Sequence, residues 1–260
     1  MGDIMENTEI FLCLKINKQK WINALKDGVV CFNPVDVFIK KAEETGNNEQ
    51  GDKFEGIFAR LRNDDPRVEK IKKQFSSDIE TIEDGEFTMF RRPSSRLVPV
   101  FCMYGIKKED LVFDENSIFE KNGETFTNVS YSISDKMYTG FLDDDGIFNE
   151  DTWGYYCSAG HFQDSLEEGL RGKKLHFEKV LIKYDIDLNR EFYIMPTDDY
   201  RELWHKRKDL EYQQEVRYLL SKSLTSDKIL VPYKPLSAHS SGVASGAIYM
   251  NITLKLEPNS

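Results

Sequence analysis

No stretch of this 260-residue chain is apolar for long enough to cross a bilayer. The longest apolar runs, such as Leu97–Met103, fall far short of the roughly 20 residues that a spanning helix requires. A basic, apolar leader is also missing, because Asp3, Glu6 and Glu9 stand where it would be, so neither a signal peptide nor a membrane partner is expected. Cysteine is scarce. Cys13, Cys31, Cys102 and Cys157 are scattered singly, three of them within apolar runs, which predicts reduced core thiols in a cytoplasmic protein rather than a disulfide frame. Positive charge is in deficit: the formal net charge of −10 excludes a broad basic face for gripping nucleic acid and leaves room only for local patches.

What is present is a core. With 40% hydrophobic residues the chain buries enough surface to fold, and without an internal repeat or long linker it reads as one domain over 1–260. Ile10–Ile16 predicts a largely buried first strand, and Asn17 caps a short helix carrying Trp21, Ile22 and Leu25. Val29–Phe32 predicts a second strand, and Pro34 opens a helix with Val35, Phe38, Ile39 and Ala42 on one face. Phe54, Ile57, Phe58 and Leu61 predict a further helix behind a Gly-bearing loop. Asp84-Gly85 marks a hairpin, and Leu97–Ile106 is the expected central strand. Later segments predict strands at Thr125–Ser134, Leu175–Ile186, Val216–Leu220 and Ala247–Leu256, with helices at Phe162–Leu170 and Asp198–Asp209. The class is α+β, with helices concentrated early and strands late.

Most motif tests are negative. Gly242–Gly246 lacks the lysine and helix of a phosphate loop. Asp143-Asp144-Asp145-Gly146 puts Phe141 where a calcium loop needs its first ligand, and so reads as an acidic turn. Cys157 and His161 have zinc-like spacing but no second pair, and no metal is expected. Gly-x-Ser-x-Gly is absent.

Two segments carry more. Asp52 and Glu55, in Gln50-Gly-Asp-Lys-Phe-Glu-Gly56, are either an N-terminal helix cap or loop-borne groups that hold a substrate or order an active-site loop. In Leu210–Leu220, an extended backbone places Gln213, Glu215 and Arg217 on one face and Val216 and Tyr218 on the other. That stripe is either the wet face of a strand lining a cleft or a surface ion pair on an ordinary edge strand.

The Gly-Asp-x-x-Glu-Gly loop, the hydrophobic strand Val100–Tyr104 and the late Gln-x-Glu-x-Arg strand within Tyr212–Arg217 resemble a poorly characterised set of bacterial and mobile-element proteins. The same layout remotely resembles the ADP-ribosyltransferases. The resemblance implies a mainly antiparallel split sheet flanked by helices, with NAD as the substrate. It places the catalytic carboxylate on Glu215 and the acceptor-orienting amide on Gln213, with Tyr212 in the loop that meets the target. At the first-strand position, where the superfamily carries Arg or His, this chain has Lys15, followed by Asn17. Tyr104 or Ser94-Ser95 takes the place of the middle-strand Ser or Tyr. A Gln-x-Glu form is associated there with acceptors other than arginine, nucleobases among them.

Breaking the nicotinamide–ribose bond creates an oxocarbenium-like centre, so the chemistry calls for a carboxylate beside the ribose. A neutral amide nearby orients the nucleophile without competing for the cation. The expectation is an NAD-dependent ADP-ribosyltransferase acting on a macromolecule, nucleic acid or protein, as a toxin or phage-defence effector with a neutralising protein partner. Arg217 then structures the site or meets a phosphate, His161 is a further contributor, and Tyr155 or Tyr156 stacks on nicotinamide. Lys70, Lys72 and Lys73, Arg91-Arg92 and Arg171–Lys174 are the basic groups open to a nucleic-acid acceptor. The rivals are a non-enzymatic adaptor domain, or a hydrolase of NAD or nucleic acid using Asp52, Glu55 and Glu215.

Overall fold

The hub of the molecule is its most apolar segment. A computed structural model describes residues 10–46, 51–76, 78–132, 135–137, 151–171, 173, 175–235 and 249–256. In chain order the strands of the first half are β1 (Ile10–Lys18), β2 (Val29–Pro34), β3 (Ile57–Arg62), β4 (Glu80–Asp84), β5 (Phe87–Arg91) and β6 (Pro99–Lys107). Among them lie α1 (Gln19–Lys26), α2 (Val35–Thr45), α3 (Pro66–Phe75) and the single turn α4 (Pro93–Arg96). Beyond them come β7 (Val112–Phe113), β8 (Phe119–Lys121), β9 (Glu124–Ser132), β10 (Thr152–Ser158) and α5 (Ala159–Arg171). The chain continues through β11 (Glu178–Leu181), β12 (Lys183–Ile186), β13 (Phe192–Tyr193), β14 (His205–Arg207), β15 (Glu215–Leu219), β16 (Ile229–Pro232) and β17 (Tyr249–Leu256). The α+β class holds and the pairing is antiparallel except between β12 and β14. Helices α1 to α4 do fall early, but strands interleave them from Ile10 onward, so the expected segregation is only half met.

The main sheet runs β10-β1-β6-β15-β11. One edge of β6 is shared: β1 pairs with its far end (Leu14 opposite Tyr104) and β2 with its start (Asn33 opposite Val100). Phe101–Met103 therefore face a gap where the sheet splits, while on the other edge β15 pairs without interruption from Val100 to Tyr104. Strand alternation sends Phe101, Met103, Val216 and Tyr218 to one face, where Ile22 and Leu25 of α1 and Phe162, Leu166 and Leu170 of α5 cover them. On the opposite face Val100 and Leu219 pack under Val35 and Ile39 of α2, and Leu14 and Ile106 pack with Val129 and Tyr131. Between those two apolar clusters lie the cross-strand pairs Cys102–Arg217 and Tyr104–Glu215. The polar stripe of β15 thus has a place on the sheet that the core leaves open.

Local chemistry explains most boundaries. Asp65 caps α3 by accepting from the Arg67 amide at 2.7 Å, and Pro66 occupies the tolerated first turn. The hairpin β4–β5 turns at Gly85-Glu86, with Gly85 at φ 61°, a conformation open to glycine. Asn17 lies within β1 rather than capping α1: Lys18 holds the cap position, and the Asn17 side chain accepts from the Lys18 amide at 2.8 Å.

Three expectations fail. Phe54–Leu61 is not a helix: Ile57–Leu61, Arg60 included, are buried together in β3, and burial on both faces leaves Ile57, Phe58 and Leu61 at a spacing that a helix would share. Asp198–Asp209 is not a helix either. Tyr200 sits in the left-handed region (φ 57°), a short 3-10 turn follows at Arg201–Trp204, and β14 then runs beside β12. Leu175–Ile186 breaks into β11 and β12 at Ile182, whose amide donates to the Glu215 carbonyl at 2.9 Å. Asp143–Gly146 and Gly242–Gly246 lie outside the described residues.

Candidate functional site

The split in the sheet opens into a cleft of about 770 Å³ whose floor is charged. Arg217, on β15, donates to Glu215 Oε1 through Nε at 2.7 Å and to Glu55 Oε1 through Nη1 at 2.7 Å. Lys206, on β14, donates to Glu215 Oε2 at 2.6 Å and lies 3.8 Å from Glu55 Oε2. Two cations thus alternate with two carboxylates in a closed square, each of the four side chains at most 9% exposed. Compensation of this kind is what allows ions to be buried at all.

Burial alone would raise the Glu215 carboxyl, but Arg217 and Lys206 outweigh it and hold Glu215 far below the ordinary glutamate range. Burial would likewise lower the Lys206 ammonium, yet Glu215 and Glu55 push it well up. Asp52 moves the other way. Its burial and the nearby Glu55 carboxylate raise it against the pull of Arg207, whose Nε lies 3.3 Å away.

Backbone and side chain fit closely in the Asp52–Glu55 loop. A Cβ at Gly51 would meet the Phe38 carbonyl oxygen at 2.2 Å, so only glycine lets the loop lie against α2. Asp52 Oδ1 accepts from the Phe54 amide at 2.9 Å, and buried Arg91 clamps the loop through the Lys53 and Glu55 carbonyls, the latter at 2.9 Å. No helix follows, so the capping alternative falls, and both side chains line the cleft.

Gln213 reaches the cleft by a different route from the one the strand stripe predicts. It closes the 3-10 turn Lys208–Gln213, and Gln214 turns left-handed (φ 40°) before β15 begins. Its Oε1 accepts from Lys206 at 3.0 Å, which places the amide beside Glu215 all the same. Lys15 extends from β1 into the gap, donating to the Cys102 carbonyl at 2.7 Å, and burial pulls its ammonium down. Tyr104 and Asn17 line the same cleft, and the Tyr104 hydroxyl donates to the Met137 carbonyl at 3.3 Å.

Other candidates lie elsewhere. His161 is exposed on α5 while Cys157 is wholly buried, so the two share no site. Tyr212 packs against the Leu12–Ile106 cluster, under the Lys136 ammonium, and does not line the cleft. Ser95 is buried against Glu202, Tyr155 is in the core with its hydroxyl 3.4 Å from that of Tyr233, and Tyr156, like Tyr212, packs against the Leu12–Ile106 cluster. Arg91 is buried and Arg92 pairs with buried Glu202, so this dipeptide offers nothing to nucleic acid. Among the described residues no group of three or more His, Cys, Asp or Glu side chains is arranged to hold a metal.

Sequence reasoning missed Lys206 and Arg207, and assigned Arg91 to a nucleic-acid face where it instead clamps the Asp52–Glu55 loop. His205-Lys206-Arg207-Lys208 reads as a solvated basic run, and only the carboxylates waiting at Glu55, Glu215 and Asp52 draw its middle inward. Among the described residues no helix is long and apolar enough to cross a membrane. The chain matches no protein-family model, no curated protein and no solved structure.

Proposed function

We propose that this protein binds NAD in the split of its main sheet and transfers the ADP-ribosyl group to a macromolecule. One observation carries the reading: an ionised carboxylate, Glu215, stands at the floor of a ligand-sized cleft with a neutral amide, Gln213, held beside it by the same lysine. Lys15 on β1, Tyr104 on β6 and Glu215 on β15 come from three adjacent strands, in the order the ADP-ribosyltransferase resemblance implies. The split of the sheet between β1 and β2 supports an ADP-ribosyltransferase-like form of the α+β class.

In this reading the C–N bond between ribose and nicotinamide breaks and its electron pair leaves with nicotinamide. Glu215 holds a ribose hydroxyl and stabilises the cationic carbon, and each of its oxygens retains accepting capacity beside Arg217 and Lys206. Gln213 orients the acceptor, whose nucleophilic atom bonds to the ribose carbon and gives its proton to solvent. Arg217 is a positioning residue. The acceptor is nucleic acid or protein in the cytoplasm, and a toxin or phage-defence role with a neutralising partner follows from such an activity.

A second reading, a non-enzymatic adaptor, is favoured by the closure of the charge square, in which every carboxylate oxygen already faces a cation. The test is nicotinamide release from labelled NAD in lysate, comparing the intact protein with Glu215→Gln and resolving the products into protein, DNA, RNA and free ADP-ribose. Label on one polymer, lost in the variant, supports transfer. NAD consumed with only free ADP-ribose formed makes the protein a hydrolase, and no consumption leaves the adaptor.

A further inference from the structure

The buried cations of the cleft floor have anions of their own. Lys206 and Arg217 share Glu55 and Glu215, and Arg207 behind them has Asp52. Lys15 differs. It is half-buried in the gap of the sheet, and its ammonium makes two contacts: the Cys102 carbonyl at 2.7 Å and the ring of Phe101, whose centroid lies 5.4 Å from Nζ. Neither partner is charged, and among the described residues no carboxylate pairs with it.

The groups around Lys15 do not supply the missing anion. Cys102 of β6 and Cys31 of β2 carry thiols that burial pushes up, so both stay protonated. The charge of Glu215 on β15 reaches Lys15, but Arg217 and Lys206 already hold both of its oxygens, and Lys206 on β14 repels a second ammonium. Desolvation outweighs the rest and lowers the Lys15 ammonium. A lysine desolvated beside another cation is the kind that yields a free amine near neutral pH. The cleft it faces is apolar on one side, where Ile16, Val35, Phe38 and Val100 line it.

We propose that Lys15 is a nucleophilic amine that condenses with an aldehyde carried on an apolar body, which the Phe38 side of the cleft receives. The ammonium passes a proton to water, and its nitrogen bonds to the carbonyl carbon while the C=O π pair moves to oxygen. That oxygen takes up protons and leaves as water, and a C=N bond remains; nothing is oxidised or reduced. The Cys102 carbonyl positions the nitrogen, since an amine that keeps one N–H there has another to offer the aldehyde oxygen.

Reductive trapping of the full chain tests this in the native sequence. The protein is treated at pH 7 with limiting benzaldehyde and cyanoborohydride, and the alkylated lysines are mapped by peptide mass. Lys15 is expected to label about 10-fold faster than the exposed Lys70 and Lys73 of α3, from its larger amine fraction. Its rate should climb less steeply than theirs between pH 7 and pH 9, and its preference for benzaldehyde over acetaldehyde should exceed theirs. The advantage is expected to vanish in urea. Labelling of Lys15 no faster than of Lys70 and Lys73, or an advantage that persists in urea, overturns the proposal. Trapping needs no NAD and nicotinamide release needs no aldehyde, so this inference and the transferase reading fail separately.

Discussion

Arg217 and Glu55 meet at 2.7 Å across 162 residues of chain. That one ion pair ties the last internal strand of the sheet to the loop behind α2, and through Nη1 Arg217 also takes the Leu203 carbonyl at 2.8 Å. Three distant segments therefore converge on a single guanidinium.

Replacing Arg217 with methionine is expected to strand two carboxylates in the interior. The loss is about 3–5 kcal/mol, the usual result of breaking a buried pair from one side. Urea unfolding would show it as a lower midpoint, and Glu55→Gln added to Arg217→Met is expected to recover part of the loss because one stranded charge is gone.

Acid should weaken the fold through Glu215. Above its ordinary value of 4.5 the group is ionised in folded and unfolded chains alike, and its contribution to stability is complete. Below that value the unfolded chain binds a proton that the native site refuses, so stability falls as pH drops. Unfolding midpoints at pH 7 and pH 3 should differ more in the native sequence than in Glu215→Gln.

Under the transferase reading, Glu215→Gln should slow nicotinamide release by about 10²–10³. Circular dichroism on the same preparation separates this from unfolding, since Gln keeps the shape of the side chain while removing its charge.

Lys206→Met removes one of the two cations that hold Glu215 down, and also the anchor of Gln213. The acid limb of the NAD-dependent rate is expected to move to higher pH, because Glu215 then protonates more readily. An unmoved limb would show that Arg217 alone sets the ionisation.

Gly51→Ala forces a methyl group to within 2.2 Å of the Phe38 carbonyl oxygen. Overpacking against backbone costs about 1–3 kcal/mol, and the expected displacement of Asp52 and Glu55 should lower both thermal stability and any turnover.

The sequence made the site legible where alternation could speak. Glu215 and Arg217 share a face because both lie on β15, and the apolar stretch Val100–Tyr104 proved central because no other segment is as free of polar groups. Gln213 was found for the wrong reason: a left-handed Gln214 ends the stripe, and no side-chain pattern announces a backbone turn of that kind. Lys206 was illegible. Its burial depends on carboxylates nine and more than a hundred positions away, and charge partners at such separations leave no local period. The strand β3 was misread because burial on both faces erases alternation.

The interrupted edge of β6 also bears on misassembly. An unpaired stretch of strand inside a sheet is a template on which a foreign extended peptide adds by backbone hydrogen bonding. Lys15 already occupies the Cys102 carbonyl, and any intruding strand would have to displace a desolvated cation to pair there. The lysine that lines the cleft thus also obstructs, by the same bond, the addition of a foreign strand at the molecule's own seam.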